Sequence, residues 1–314
     1  MRNYIIRRLV AMPLMLLVMS FVLFLLLWIK PGDAAFAVVA GIEEARNLDV
    51  WREELGLDRP WYVQYFDWLG NVFQGDLGDS LRPPRNPVAD KVQERIGNTI
   101  EIGLLTIAIS AIIGLPIGII SAIRRNTLSD YTLRTATIVG ISVPNFWTGT
   151  LIIIFPVIWW GWNPIQPYTS FTEDPLTNLS IVIFPAAILA YGSAAYTARI
   201  VRSSMLEVFF SDYVRTARAK GLRERVVVMR HVFRTSLIPV LTVIGLQLGA
   251  ILGGAVVAES IFAIPGMGLL MLESVQTEDY PVVLTVVLLF ALMFMIITLA
   301  VDVLYTTVDP RIRY

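Results

Sequence analysis

Cysteine is absent and histidine occurs once, at His231. That excludes disulfides, thiolate nucleophiles and Cys-based metal sites, and a multi-histidine metal centre with them. Lysine is scarce: Lys30, Lys91 and Lys220 complete the set, and none follows a glycine. A phosphate-binding P-loop needs glycines for close backbone approach and a Lys for the β/γ-phosphates. This chain therefore cannot power itself by that route. HExxH, GxSxG and paired-carboxylate constellations are missing too, so an enzyme reading is weak. Charge is in short supply: 16% of residues carry it, against about 25% in soluble domains. The formal net charge is zero, so only the distribution of charge carries information.

What fills the space is hydrophobic: 56% of 314 residues, with a mean hydropathy of +0.66. A deficit of charge over a chain this long points to a membrane protein. A spanning helix needs about 20 apolar residues. Six stretches qualify: Leu9–Ile29, Asn98–Ile123, Leu133–Trp160, Ile181–Ala198, Leu237–Ala258 and Pro281–Tyr305. None alternates with period 2, which argues against a barrel. The first run is too long for a signal peptide and five more spans follow, so it is expected to stay as an anchored helix. Gly114, Pro116 and Gly118 in the second span, and Pro144 and Pro156 in the third, suggest kinks or close helix packing. The third span exceeds the needed length, which suggests tilt or bending.

Basic residues orient the spans. Arg2, Arg7 and Arg8 precede the first, and Arg124, Arg125 and Arg134 fall between the second and third. Nine lie between the fourth and fifth, and Arg311 and Arg313 follow the sixth. The opposite loops, Gly161–Ser180 and Glu259–Tyr280, contain no Lys or Arg. The positive-inside rule puts both termini in the cytoplasm. Trp28, Trp159, Trp160 and Trp162 mark the outer interface. The expected organisation is an N-terminus and first span over 1–30, an extracytoplasmic helical region over 31–97, and a five-helix core over 98–314 with a cytoplasmic loop at 199–235. In the external region Val50, Leu55, Leu57, Val63, Phe66, Leu69 and Phe73 suggest short amphipathic helices. Ser80–Pro87 is a turn-rich connector.

Ion-coupled transport usually leaves ionisable groups inside the membrane. Here Glu101, Glu259 and Asp302 all lie near span ends, where a carboxylate reaches water. Gln247 is the strongest polar group at mid-span, with Thr106, Ser110, Ser142 and Asn145 as milder ones. Gln247 can either face a polar pathway or bond to a neighbouring helix; Ser142 and Asn145 are further pathway candidates. His231, in a basic cytoplasmic segment, is expected to be an ordinary surface imidazole.

The loop 199–235 holds nine basic residues against Glu207, Asp212 and Glu224. Ser211 or Asp212 can cap a helix running to Lys220. Gly221 fits the position after a helix end, where positive φ is needed. A second helix is expected from Arg223 to Phe233, with Leu237 and Pro239 starting the fifth span. Val214, Ala217 and Gly221 form a small apolar stripe flanked by Arg215, Arg218 and Lys220. Such a helix suits a groove of another protein. Topology alone and anionic lipid binding are the competing explanations. Topology would be satisfied by two or three arginines, and more than thirty residues without a core of their own favour a docking element.

Several blocks, in one order across nearly the whole chain, resemble a known family. They are PGD (31–33), REELGLDRP (52–60), QYFDWLGNVFQGDLGDS (64–80), DYVRTARAKGL (212–222), RHVFRTSLIPVLT (230–242), ESIFAIPGMGLL (259–270) and DPRIRY (309–314). The chain is identified as resembling ABC-importer permeases, most closely the dipeptide/oligopeptide/nickel group. The resemblance implies an all-α membrane protein of six transmembrane helices in a bacterial or archaeal plasma membrane. It implies that Asp212, Tyr213, Val214, Arg215, Thr216, Ala217, Arg218, Ala219, Lys220, Gly221 and Leu222 form a coupling helix for a separate ATPase. Ala217 and Gly221 stand at the motif's second alanine and its glycine. Arg215 and Thr216 replace its Glu and first Ala, a departure similar to the peptide-permease subgroup.

The partners so implied are a second homologous permease, two P-loop ATPase subunits, a substrate-binding protein and membrane lipid, with no nucleic acid. ATP and Mg would bind on the partner subunits, with no cofactor on this chain. Ile264, Pro265, Gly266 and Met267 are candidates for docking the binding protein, or else a re-entrant structural loop. Peptides are the expected cargo; nickel, oligosaccharides or another small solute are the alternatives, and an ion-coupled secondary transporter is a remote one.

Overall fold

The computed structural model describes residues 2–29, 53 and 58–308. The motifs at 31–33 and 309–314, most of 52–60, and Val50, Leu55 and Leu57 lie outside the described residues. The described chain is helical: α1 (Arg2–Ile29), α2 (Trp61–Phe73), α3 (Val88–Ile123), α4 (Leu128–Ser142), α5 (Asn145–Trp160), α6 (Pro175–Phe209), α7 (Asp212–Ala219), α8 (Glu224–Phe262), α9 (Met267–Gln276) and α10 (Tyr280–Val308). Among the described residues the one β-contact is an isolated bridge between Asp79 and Pro87. Long apolar helices are what a bilayer permits, because each backbone N–H and C=O must be satisfied within its own segment.

Among the described residues five helices are long and apolar enough to cross a membrane singly, and α4 with α5 makes a sixth if that bent pair is one span. The two arms meet at 96°. The expected single span Leu133–Trp160 is thus broken at Val143–Pro144. Pro144 donates no N–H and disfavours the helical region at the residue before it. Val143 accordingly sits extended at φ −83°, ψ 123°. At about 1.5 Å per residue, arms of 15 and 16 residues each fall short of a ~30 Å core.

Other boundaries moved as well, the second span's helix beginning at Val88 rather than Asn98. The fourth span, expected at Ile181–Ala198, continues as helix from Pro175 to Phe209. Asp174 caps it, accepting the N–H groups of Leu176 and Thr177. The Thr177 hydroxyl also bonds the Asp174 carboxyl and holds it below the usual carboxylate range. The fifth span does not begin at Leu237: α8 runs from Glu224 to Phe262, with a π-helical stretch at Val227–Phe233. The expected separate helix Arg223–Phe233 is the first part of this one. The loop of more than thirty residues is therefore two helix ends with α7 between them.

The chain divides into two compact units. One comprises Ile100–Ile264 and the stretch from Ile296 onward. Small residues let its helices approach closely. A Cβ at Gly114 of α3 would lie 2.7 Å from the Ala194 carbonyl of α6, and one at Gly118 would lie 2.6 Å from that of Ala198. Gly140 of α4 meets Ala195 in the same manner, and Gly245 of α8 meets Val301 of α10. The close packing expected from Gly114 and Gly118 is what the structure has. One core cluster is built on Ile102, Val182, Ile188, Leu189, Phe262 and Ile264. The other gathers Ala122, Val201, Met205, Val214, Ala217, Val227, Val228, Val232 and Val240.

The second unit comprises Arg2–Thr99 and Pro265–Met295. Val88, Val92, Met267, Leu270, Val282 and Val286 form its core. The buried Asp279 carboxylate accepts from Ser80 Oγ at 2.5 Å and Leu81 N at 3.0 Å, with Lys91 Nζ at 3.8 Å. Arg82 donates to the Thr277 carbonyl through Nε at 2.8 Å and Nη2 at 2.6 Å. These bonds fasten the turn-rich Ser80–Pro87 connector to the segment between α9 and α10.

Candidate functional site

Helix α7 is the first candidate. Its C-terminus closes as the sequence implies. Gly221 adopts φ +74°. Its N–H bonds the Arg218 carbonyl at 2.9 Å, and the Leu222 N–H bonds that of Ala217 at 3.4 Å. This is the paired closure of a Schellman motif, which places a residue of positive φ just beyond the helix end. Arg218 then reaches across the turn, donating to Glu224 through Nη2 at 2.7 Å and Nε at 3.2 Å. The guanidinium also lies over the Phe209 ring at the end of α6, 5.6 Å from its centroid.

The apolar stripe faces the other way from the expectation. Val214 and Ala217 are buried against Val201 and Met205 of α6 and Val227, Val228 and Val232 of α8. They are not free to line a partner's groove; they hold α7 onto its own chain. What α7 leaves exposed is Asp212, Tyr213, Arg215, Thr216, Arg218, Ala219 and Lys220, continuing into Gly221 and Leu222. Arg215 has 80% of its side chain exposed. His231 is half-buried within the π-helical stretch.

A buried ion pair missed by sequence reasoning lies in the same unit. Asp130 of α4 is fully buried, and Arg202 of α6 donates to it twice, at 2.8 Å and 2.9 Å. Ser121 Oγ donates to it at 2.5 Å and the Asn126 N–H at 3.0 Å. One carboxylate thus ties the α3–α4 turn to the helix that leads into α7. The available signal was Arg202, which carries a charge on a helix face otherwise rich in Ala, Val and Met.

The candidate pathway residues separate. Gln247 donates to the Ser193 carbonyl at 3.2 Å and accepts from Thr197 Oγ1 at 3.3 Å. Both ends of the amide are engaged with α6, which is the interhelical reading; it also borders a small cavity with Ser110 and Ile251. Asn145 lines a cavity of about 140 Å³ with Phe146, Gly149, Ile188, Leu189, Gly254, Val257, Ala258, Ile261 and Phe262. Ser142, three residues earlier and across the break, is exposed, its hydroxyl bonded to the Ile138 carbonyl. The break thus sets Ser142 and Asn145 apart. Thr106 and Ser110 are buried, as is Glu259, expected from its position to reach water at a helix end. Glu101 accepts from Asn178 at 3.4 Å, and Asp302 is half-buried.

The tetrad, open to a docking or a structural-loop reading, is largely inside the protein. Ile264 and Met267 are fully buried, Gly266 is buried, and Pro265 is half-buried with its carbonyl accepting from Asn98. Met267 N–H is taken by Thr99 Oγ1 at 2.8 Å. These residues form structural turns, and Ile264 and Met267 have no side-chain surface to offer. Among the described residues no group of His, Asp and Glu is placed to hold a metal.

Residues 114–314 match the family model described as binding-protein-dependent transport system inner membrane component. Residues 1–100 match the N-terminal family of binding-protein-dependent transport system membrane components. A putative peptide transport system permease protein of Brucella abortus (strain 2308) is 40% identical over 304 residues, covering 97% of this chain and 96% of that protein. The glutathione transport system permease protein GsiC of Escherichia coli O6:H1 is 39% identical over 314 residues, covering 100% of both. Among solved structures, an inward-facing form of the MetNI methionine ABC transporter has a TM-score of 0.58 at 18% identity, covering 70% of this chain and 96% of that one.

Proposed function

The chain belongs to the family of binding-protein-dependent transport system inner membrane components, and from that premise we propose that it forms half of the translocation pathway of an ATP-driven peptide importer. The relatives named for peptide and glutathione transport support di- or oligopeptides as the cargo class. A second permease chain, two P-loop ATPase subunits and an external binding protein complete the machine in this reading. ATP and Mg belong to the ATPase subunits, and both termini of this chain face the cytoplasm with them.

The observation that carries the proposal is the build of α7. It is an eight-residue helix at the turn between two long helices. It is locked by a Schellman closure, the Arg218–Glu224 fork and buried Val214 and Ala217. A partner's push on its exposed face would reach α6 and α8 without loss in a flexible loop. The contact surface is then Tyr213, Arg215, Thr216, Lys220 and Leu222, with Val214 and Ala217 as its foundation. ATP binding would draw two such helices together and open the pathway outward. A ligand shifts such an equilibrium only by binding the two states differently.

The test is uptake and ATPase activity in proteoliposomes holding the assembled importer. Arg215→Glu and Tyr213→Ala should leave the chain inserted and the assembly's basal ATP hydrolysis intact, yet lower peptide-stimulated hydrolysis and uptake together. Uptake at the unsubstituted rate in both variants would remove α7 as the coupling surface.

A further inference from the structure

Helix α2 presents two apolar faces, and one of them is exposed among the described residues. Trp61, Tyr65 and Trp68 point at α1. Tyr65 packs edge-on against Phe21 and Phe24, with ring centroids 5.4 Å apart in each pair. Its hydroxyl lies 3.0 Å from Ser20 Oγ and donates to the Leu17 carbonyl at 3.4 Å. Trp61 meets Phe21, and Trp68 meets Phe24. The second face carries Tyr62, Phe66 and Phe73, at spacings that bring them onto one side of a helix. They are 51%, 65% and 74% exposed. Gln64, Asp67, Asn71 and Gln74 fall on the opposite side, and Asp67 pairs there with Arg59 at 3.1 Å.

The level of these contacts on α1 identifies what covers the bare face. The apolar part of α1 runs from Ile5 to Ile29. Its contacts with α2 involve Leu17 to Phe24. At about 1.5 Å per residue, those positions lie roughly 8–18 Å below the last turn, in the half of the span away from Arg7 and Arg8. At the same level α1 itself exposes Val18, Val22 and Leu26, as a spanning helix does toward lipid. Both helices thus expose apolar side chains at this level of the span.

We propose that α2 is embedded in the outer leaflet of the bilayer, with Tyr62, Phe66 and Phe73 against phospholipid acyl chains and its Gln64–Asp67–Asn71 side toward water. A helix with a wide aromatic face and an opposed polar face is the form suited to that boundary. Ring hydroxyls and indoles suit the interface. The helix then anchors the connector that follows it at a fixed depth.

The absence of native cysteine makes the test clean. Single substitutions Tyr62→Cys, Phe66→Cys, Phe73→Cys, Asp67→Cys and Asn71→Cys are introduced into the full chain. Each is labelled with a nitroxide, reconstituted in phosphatidylethanolamine/phosphatidylglycerol vesicles, and probed for collision with oxygen and with a water-soluble nickel chelate. Ile112→Cys, at a 72% exposed position of α3, is the lipid standard, and Arg215→Cys is the water standard. The stripe should collide several-fold more with oxygen than with nickel, near the Ile112 standard, while positions 67 and 71 resemble the water standard. Nickel-accessible labels along the stripe would overturn the proposal. So would labels shielded from both reagents, which would mean a protein occupant. Loss of the alternation between the two sides would also overturn it, and spectra from 67 and 71 report whether the helix is folded.

Discussion

Truncating Asp130 should destabilise the chain more than most single changes, and the structure says by how much. Asp130→Ala leaves Arg202, about one-fifth exposed, with its two bonds gone, and strips acceptors from Ser121 Oγ and the Asn126 N–H. Removing one member of a buried pair costs about 3–5 kcal/mol. The partial exposure of Arg202 puts the expectation near the lower end, about 3 kcal/mol. Asp130→Asn keeps the shape and an acceptor but exchanges charged bonds for neutral ones, so about 1–2 kcal/mol is expected. Arg202→Met alone leaves a carboxylate with no exposed surface and should cost as much as Asp130→Ala. The double variant Asp130→Ala/Arg202→Met removes both charges, so its cost should fall short of the sum by at least about 2 kcal/mol. The charge-swapped pair Asp130→Arg/Arg202→Asp should not rescue stability, because two further donors converge on position 130. Equilibrium unfolding in mixed detergent micelles gives all five values. Additivity within about 0.5 kcal/mol, or rescue by the swap, would refute the account of Asp130 as the acceptor that joins α4, α6 and the intervening turn.

Two further predictions concern backbone. At Gly221, with φ +74°, Asn should be tolerated, Ala should cost about 1–2 kcal/mol and Val more; Gly221→Asp should remain membrane-inserted while losing coupled uptake. Thermal unfolding and proteoliposome transport of the series check both parts, and an equal effect of Asn and Val would mean that φ is not what selects glycine. On α3, Gly118→Ala drives a Cβ to 2.6 Å from both the Ala198 carbonyl and Val201 Cβ, whereas Gly103→Ala meets nothing within 4 Å. The first should cost about 1–3 kcal/mol by overpacking and the second should gain up to about 1 kcal/mol of helix propensity; melting temperatures moving in the same direction would refute close contact between α3 and α6.

What the sequence made legible was what depends on neighbours along the chain. Apolar runs declare their membrane helices because the bilayer imposes one length on all of them. Gly221 declared its conformation because a helix end needs a residue that tolerates positive φ, a requirement met within five residues. Hydropathy did not mark where those helices stop. α6 extends past Ala198 to Phe209 because Arg199, Arg202 and Glu207 are good helix formers that merely leave the apolar zone. Contacts between distant residues stayed hidden for a different reason. Asp130 and Arg202 are 72 positions apart, and nothing local to either names the other.

The stripe Val214–Ala217 shows how a correct pattern can be assigned to the wrong partner. Period and polarity establish that a face is apolar, and they do so equally for a face that meets its own chain and one that meets another. The choice is decided by whether an apolar surface of the same chain lies within reach, here Val201, Met205, Val227 and Val232. The same criterion treats α2 in reverse. Its Trp61–Tyr65–Trp68 side has such a surface in α1, and its Tyr62–Phe66–Phe73 side has none among the described residues. For a short helix at the end of two long ones, the inward face is therefore claimed first by the flanking helices. Any protein that pushes on α7 must work through the charged and polar residues left outside. This is why Arg215, the departure from the general motif, is a better place to probe coupling than the alanine that matches it.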